Sequence, residues 1–131
     1  MSVSVPCGYL IHGDAKRGNM ICRDGRVAGF IDLDTLMPGS VFDDIADCIR
    51  SCDSRNDADP MMIVHFIHGY EEGADTMFTP DAIALIGQNT VKHRFMLGLR
   101  YYTDYLSGNV YFKEEYPGQN LARARQLFEA V

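Results

Sequence analysis

Residues 12–34 read HGDAKRGNMICRDGRVAGFIDLD. Two apolar runs, Met20 to Cys22 and Val27 to Ile31, flank Arg23-Asp24-Gly25-Arg26. An Asp-Gly pair between apolar runs is a strong signal for a tight hairpin turn. The spacing therefore predicts two short antiparallel strands over residues 20–32, with Asp32 at the exit of the second. Asp14 and Asn19 lie five residues apart on the loop that enters the hairpin. Because the hairpin folds back on that loop, two carboxylates and one amide oxygen are expected to converge at the strand ends.

That grouping has a definite chemistry. Carboxylate and amide oxygens are hard ligands, suited to Mg²⁺ shared with the phosphates of a substrate. Phosphoryl transfer needs few protein groups: metal ligands, a carboxylate that orients the attacking hydroxyl and takes its proton, and a cation near the γ-phosphate. Asp14 fits the proton acceptor, Asn19 and Asp32 fit the metal ligands, and Lys16 fits the cation. Each residue also has a plainer reading. Asp is common in turns, Asn19 suits a loop cap, Lys16 suits a solvated loop, and His12 suits a partly buried residue that orients the loop.

On either side of this stretch the chain turns helical. Tyr9 to His12 is a short apolar run ending at a His-Gly turn. After Pro38-Gly39 the residues Phe42, Ile45, Ala46 and Ile49 recur at helical spacing, so a helix should run from a cap at Ser40 or Asp43 to about Asp53. Asp59-Pro60 opens a second helix, and Thr79-Pro80-Asp81 a third that reaches about Leu106, with a break near Gly87 left open. Ser107-Gly108-Asn109 stops it, and a last amphipathic helix spans about Asn120 to Val131. The expected architecture is mainly α with a small β-hairpin (α+β), as one domain over residues 1–131, a length sufficient for a core of its own.

Composition narrows the classes of function. The net charge of −6 comes without a basic stripe, which argues against nucleic acid as a partner. No apolar run approaches the roughly 20 residues that cross a bilayer, so no membrane association is expected. The first residues lack the basic and long apolar regions of a signal peptide, and the expected location is cytoplasmic. Cys7, Cys22, Cys48 and Cys52 form no CxxC pair. Cys48 and Cys52, four apart on an expected helix, have a spacing that allows a shared metal, and an equally simple role as small buried apolar groups. His65 and His68, three apart, lack a third ligand at a matching step. Asp44 suits a buttress for the catalytic loop through backbone amides.

The pattern H-G-D-x-x-x-x-N followed by I-D-x-D resembles the catalytic and metal-binding loops of the aminoglycoside phosphotransferase and choline kinase superfamily, which has a protein-kinase-like fold. His12-Gly13-Asp14 stands where protein kinases carry His-Arg-Asp, and Asp32 where they carry the Asp of Asp-Phe-Gly. Ile31 to Gly39, Asp44-x-x-Asp47-x-x-Arg50, Leu99 to Lys113 and Tyr116 to Arg125 are similar to the N-acetylhexosamine 1-kinases, so that the likeness covers nearly the whole chain. At Gly13 some relatives carry a larger polar residue. The resemblance implies ATP-dependent phosphorylation of the anomeric hydroxyl of an N-acetylhexosamine, with Mg²⁺ as cofactor and ATP as co-substrate. It implies Asp14 as catalytic base, Asn19 and Asp32 as metal ligands that also hold the nucleotide, and Asp34 as a further metal candidate. Arg100 and Tyr111 are candidates for sugar contacts, one a hydrogen-bonding fork and the other a ring able to stack on a pyranose.

Such kinases place a phosphate-covering loop and a Lys for the α- and β-phosphates on an N-terminal lobe. Only eleven residues precede His12, and they carry neither. The chain is thus expected to be the C-terminal lobe, with the nucleotide-binding lobe absent, exposed apolar surface where missing parts dock, and little activity by itself. A separate N-terminal lobe or self-association through that face are its expected partners. Two alternatives stand beside this reading. One is a kinase for an aminoglycoside, choline or homoserine, with Asp57, Asp59, Glu71 and Glu72 meeting a cationic acceptor. The other is an inactive truncated remnant.

Overall fold

In the computed structural model, residues 8–53, 60–75 and 77–131 are described. They are mainly helical with small antiparallel sheets. Two compact units emerge, residues 1–90 and 91–131.

In the first unit the hairpin forms where the sequence places it. Strand β2 (Met20–Arg23) pairs antiparallel with β3 (Arg26–Phe30). At the turn, Asp24 and Gly25 both have positive φ, 51° and 74°, as the two central residues of a type I′ turn must. A register shift between Ile21 and Cys22 marks a bulge, which increases the local twist. A second two-stranded sheet was not expected from the sequence. Tyr9–Ile11, designated β1, pairs antiparallel with β4 (Met37–Gly39). Its strands are three residues each and distant in the chain, and Pro38 in β4 offers no amide to a ladder, so local patterning carries no sign of it.

Helix α1 (Val41–Cys52) starts where Ser40 accepts a hydrogen bond from the Phe42 amide through its hydroxyl, and Asp53 caps its end. Of the two proposed caps, Ser40 is the one used. Helix α2 (Pro60–Ala74) begins on its proline; Asp59 lies outside the described residues. Helix α3 (Pro80–Leu106) is capped by the Thr79 hydroxyl, which accepts from the Ala82 amide at 3.2 Å, and it runs unbroken through Gly87. One glycine costs a helix only about 1 kcal/mol, less than the flanking helical turns return by packing. Phe42, Ile45 and Ile49 of α1 meet Ile67 of α2 and Ala82 and Ile86 of α3 in the core of this unit. By contrast, Leu10, Ile21, Val27, Phe30, Ile31 and Leu33 are exposed.

The second unit holds the rest of α3 and α4 (Gln119–Glu129). The Phe128 ring packs on Phe95, with centroids 5.6 Å apart, and against Gly98, where a Cβ would collide with it. Asn120 is fully buried. Its Nδ2 donates to Asp104 Oδ2, Asn109 Oδ1 and the Phe112 carbonyl, which ties α4 to α3 and to the intervening loop. No helix among the described residues is long and apolar enough to cross a membrane.

Candidate active site

The loop from His12 to Asn19 is held from three directions. Asp44, in the first turn of α1, accepts hydrogen bonds from the amides of His12 (2.7 Å) and Gly13 (2.9 Å) through its two carboxylate oxygens. This is the buttress expected of it. The Thr35 hydroxyl donates to the His12 carbonyl at 2.7 Å, and the Arg17 amide donates to Ser51 Oγ, also at 2.7 Å. Gly13 sits at φ +79°, and a Cβ there would lie 2.5 Å from the Thr35 carbonyl oxygen. A larger residue at this position would therefore require a different path for the chain.

The hairpin closes onto this loop. The Ile31 amide donates to the Asn19 carbonyl at 2.9 Å, and His12 Nε2 lies 3.0 Å from the Ile31 carbonyl oxygen. The next residue, Asp32, takes a left-handed conformation, φ 67° and ψ 56°, which costs a non-glycine residue about 1 kcal/mol or more and which Asp tolerates better than most. It leads into one helical turn over Leu33–Thr35 that carries Asp34.

Asn19 is buried, and its amide group is fixed: Nδ2 donates to the Asp14 carbonyl (2.9 Å) and to Asp14 Oδ2 (3.0 Å). No described residue donates to its Oδ1. Lys16 Nζ meets the same Asp14 oxygen at 2.5 Å. Partial burial works to raise the Asp14 pKa, but the Lys16 ammonium and the Asn19 amide outweigh it, and the carboxyl lies below its ordinary value. Asp32 is exposed and lies above its ordinary value. The largest cause is a hydrogen bond shared with Asp34, followed by the charge of that group; Asp14 adds to the effect and Lys16 opposes it. Asp14, Lys16, Asn19, Asp32 and Asp34 thus occupy one neighbourhood at the surface of the first unit.

Among the described residues, no three His, Cys, Asp or Glu side chains are grouped to hold an ion by themselves. The donors present are two neighbouring carboxylates, an amide oxygen left open by its own hydrogen bonds, and space on the solvent side. That set suits Mg²⁺, which keeps waters and shares its shell with phosphate oxygens, and it lacks the ligand count of an all-protein cage. The repulsion between Asp32 and Asp34 is the kind that a cation relieves.

Arg100 and Tyr111 belong to the second unit. Arg100 Cζ lies 5.6 Å from the Tyr111 ring centroid and 5.5 Å from that of Phe112. These three, with Leu99 and Thr103, line a cavity of about 390 Å³. Asp104 organises the wall. It is buried, and its carboxylate accepts from the amides of Tyr111 (2.8 Å) and Phe112 (2.9 Å). Desolvation works to raise its pKa, but hydrogen bonds from the amides of Phe112, Tyr111 and Val110 prevail and lower it.

Sequence reasoning did not anticipate the parts played by Thr35, Ser51 and Asp104. Serine, threonine and aspartate are common everywhere, and nothing in their local spacing marks them. Asp57 and Asp59 lie outside the described residues. Glu71 accepts from the Phe78 amide at 2.7 Å, a structural use that leaves it less apt for a cationic acceptor.

The family model described as "phosphotransferase enzyme family" matches residues 8–86, more than half of the chain. The match contains the whole of the loop, the hairpin and Asp34.

Proposed function

Since the chain belongs to the phosphotransferase enzyme family, we propose that it serves ATP-dependent transfer of a phosphoryl group to a hydroxyl of a small molecule, the anomeric hydroxyl of an N-acetylhexosamine in particular. The observation that supports this most is that buried Asn19 donates to Asp14 while the charge of Asp14 bears on exposed Asp32.

In this reading Asp14 is ionised at neutral pH, as its lowered pKa favours. It accepts a hydrogen bond from the acceptor hydroxyl and takes the proton as the new O–P bond forms and the bond to the leaving ADP oxygen breaks. A base of low pKa contributes mainly by aligning the nucleophile, which matters most in a loose phosphoryl-transfer transition state. Lys16 moves its charge from Asp14 to the transferred phosphoryl group. Asn19 Oδ1 and Asp32 would hold Mg²⁺, with Asp34 beside them, and the ion would neutralise phosphate charge. Within the second unit, Arg100 and the exposed ring of Tyr111 line a cavity and offer a hydrogen-bonding fork and a stacking face of the kind a sugar needs.

A cationic acceptor of the aminoglycoside or choline type has less support, because Glu71 is engaged with a backbone amide.

Two measurements test the proposal. Mg²⁺-ATP should raise the melting temperature of the chain, because a ligand held by the native state stabilises it, by about 2.7 kcal/mol at 100 times its Kd. The shift should vanish in Asp32→Asn, and an undiminished shift in that variant would remove Asp32 from the site. Saturation-transfer NMR should then show N-acetylglucosamine or N-acetylgalactosamine bound, weakened by Arg100→Ala. Binding of choline or an aminoglycoside in their place would overturn the sugar assignment.

A further inference from the structure

Cys48 and Cys52 lie one helical turn apart on α1, both free and half-buried. Side chains at this spacing share a helix face, with Cβ atoms about 5–6 Å apart. A disulfide wants Cβ atoms about 3.5–4.5 Å apart, so direct oxidation would require the last turn of α1 to open. A single atom inserted between the two sulfurs removes that conflict. The two side chains lie close enough for Cys52 to help raise the Cys48 pKa. Cys48 also opens onto a cavity of about 400 Å³, walled by Phe30, Ile45, Phe66 and Tyr70. Among the described residues no third His, Cys, Asp or Glu completes a cluster there, and two soft ligands suit a centre that needs no third.

We infer that Cys48 and Cys52 form a two-thiol site for a thiophilic centre of the trivalent arsenical class, with an aryl substituent lodged in the adjoining apolar cavity. For an aryl arsenoxide the step balances without redox change. Two As–S bonds form, the As–O bonds break, and the oxide oxygen leaves as water with both thiol protons. Arsenic stays trivalent. Burial, and next the neighbouring Cys52, push the Cys48 thiol up to about 12. It is therefore a weak nucleophile toward one-thiol reagents at neutral pH, and the second As–S bond is what makes capture durable. The bridge spans Ser51, whose hydroxyl receives the Arg17 amide, so occupancy should also stiffen the loop that carries Asn19. None of this depends on the phosphotransferase reading.

The test uses phenylarsine oxide and mass spectrometry of the intact chain. The wild type should keep one arsenical per chain through a wash with 2-mercaptoethanol and lose it to a dithiol. Two-point attachment should slow release about 100-fold relative to one-point attachment. Cys48→Ser and Cys52→Ser should each lose retention, while a Cys7→Ser, Cys22→Ser double variant keeps it. Failure of the wild type to retain the arsenical, or wild-type retention in Cys52→Ser, would overturn the assignment. Circular dichroism confirms that each variant is folded; if Cys48→Ser is not, Cys52→Ser, near the helix end, carries the test alone.

Discussion

Replacing Asp44 by Asn tests how the catalytic loop is held. The carboxylate accepts from two consecutive amides, His12 at 2.7 Å and Gly13 at 2.9 Å. Asn has nearly the same volume, so packing is unchanged, but only one of its two terminal atoms accepts. The other is an NH₂ that faces an N–H. One charge-assisted bond is lost, about 1.5–3 kcal/mol, the second weakens as the charge disappears, and one amide is left with a donor against it. The expected loss is about 2–4 kcal/mol, a large part of the total for a domain of this size. Urea denaturation at 25 °C should show it as a lower midpoint at unchanged slope. Hydrogen exchange should accelerate first at the His12 and Gly13 amides. The Asp14–Asn19 arrangement depends on this loop, so Mg²⁺-ATP stabilisation should weaken in parallel. A loss below about 0.5 kcal/mol, the level of an ordinary surface substitution, would refute the idea that Asp44 holds the loop.

Other perturbations have equally definite outcomes. Gly13→Ala places a Cβ 2.5 Å from the Thr35 carbonyl oxygen at a φ of +79°; left-handed strain of about 1–2 kcal/mol and a disturbed Thr35–His12 bond of about 1 kcal/mol should cost about 2–3 kcal/mol in urea unfolding. Ile49→Ala, at a fully buried position of the core, should cost about 2–5 kcal/mol by the same assay. The lowered pKa of Asp104 means that its contribution is fully present above the unfolded value near 3.8. It is lost as pH falls through the lower folded value, so the amides of Tyr111 and Phe112 should lose exchange protection only below about pH 4. In Asp104→Asn they should be less protected already at pH 7.

Local chemistry sufficed for much of this protein. The type I′ turn follows from Asp24-Gly25, because few residues tolerate two successive positive φ angles. The start of α1 follows from Ser40 and the Phe42, Ile45, Ile49 spacing, and that of α3 from Thr79-Pro80. The bond between Asp14 and Asn19 was legible for a similar reason. A short loop leading into a tight hairpin leaves few ways for their side chains to be far apart.

Contacts between distant segments were another matter. The β1–β4 pairing, the Thr35 bond to His12 and the Ser51 bond to Arg17 each join residues that carry no local mark of partnership. The continuity of α3 past Gly87 was decided by the packing of its apolar residues, which outweighs a small propensity cost. Part of the need for glycine at position 13 is tertiary as well, since beside the positive φ it comes from a carbonyl oxygen more than twenty residues away. Spacing along a chain encodes dihedral preferences and one-turn neighbours, whereas a hydrogen bond across the fold exists only once the backbone has brought donor and acceptor together.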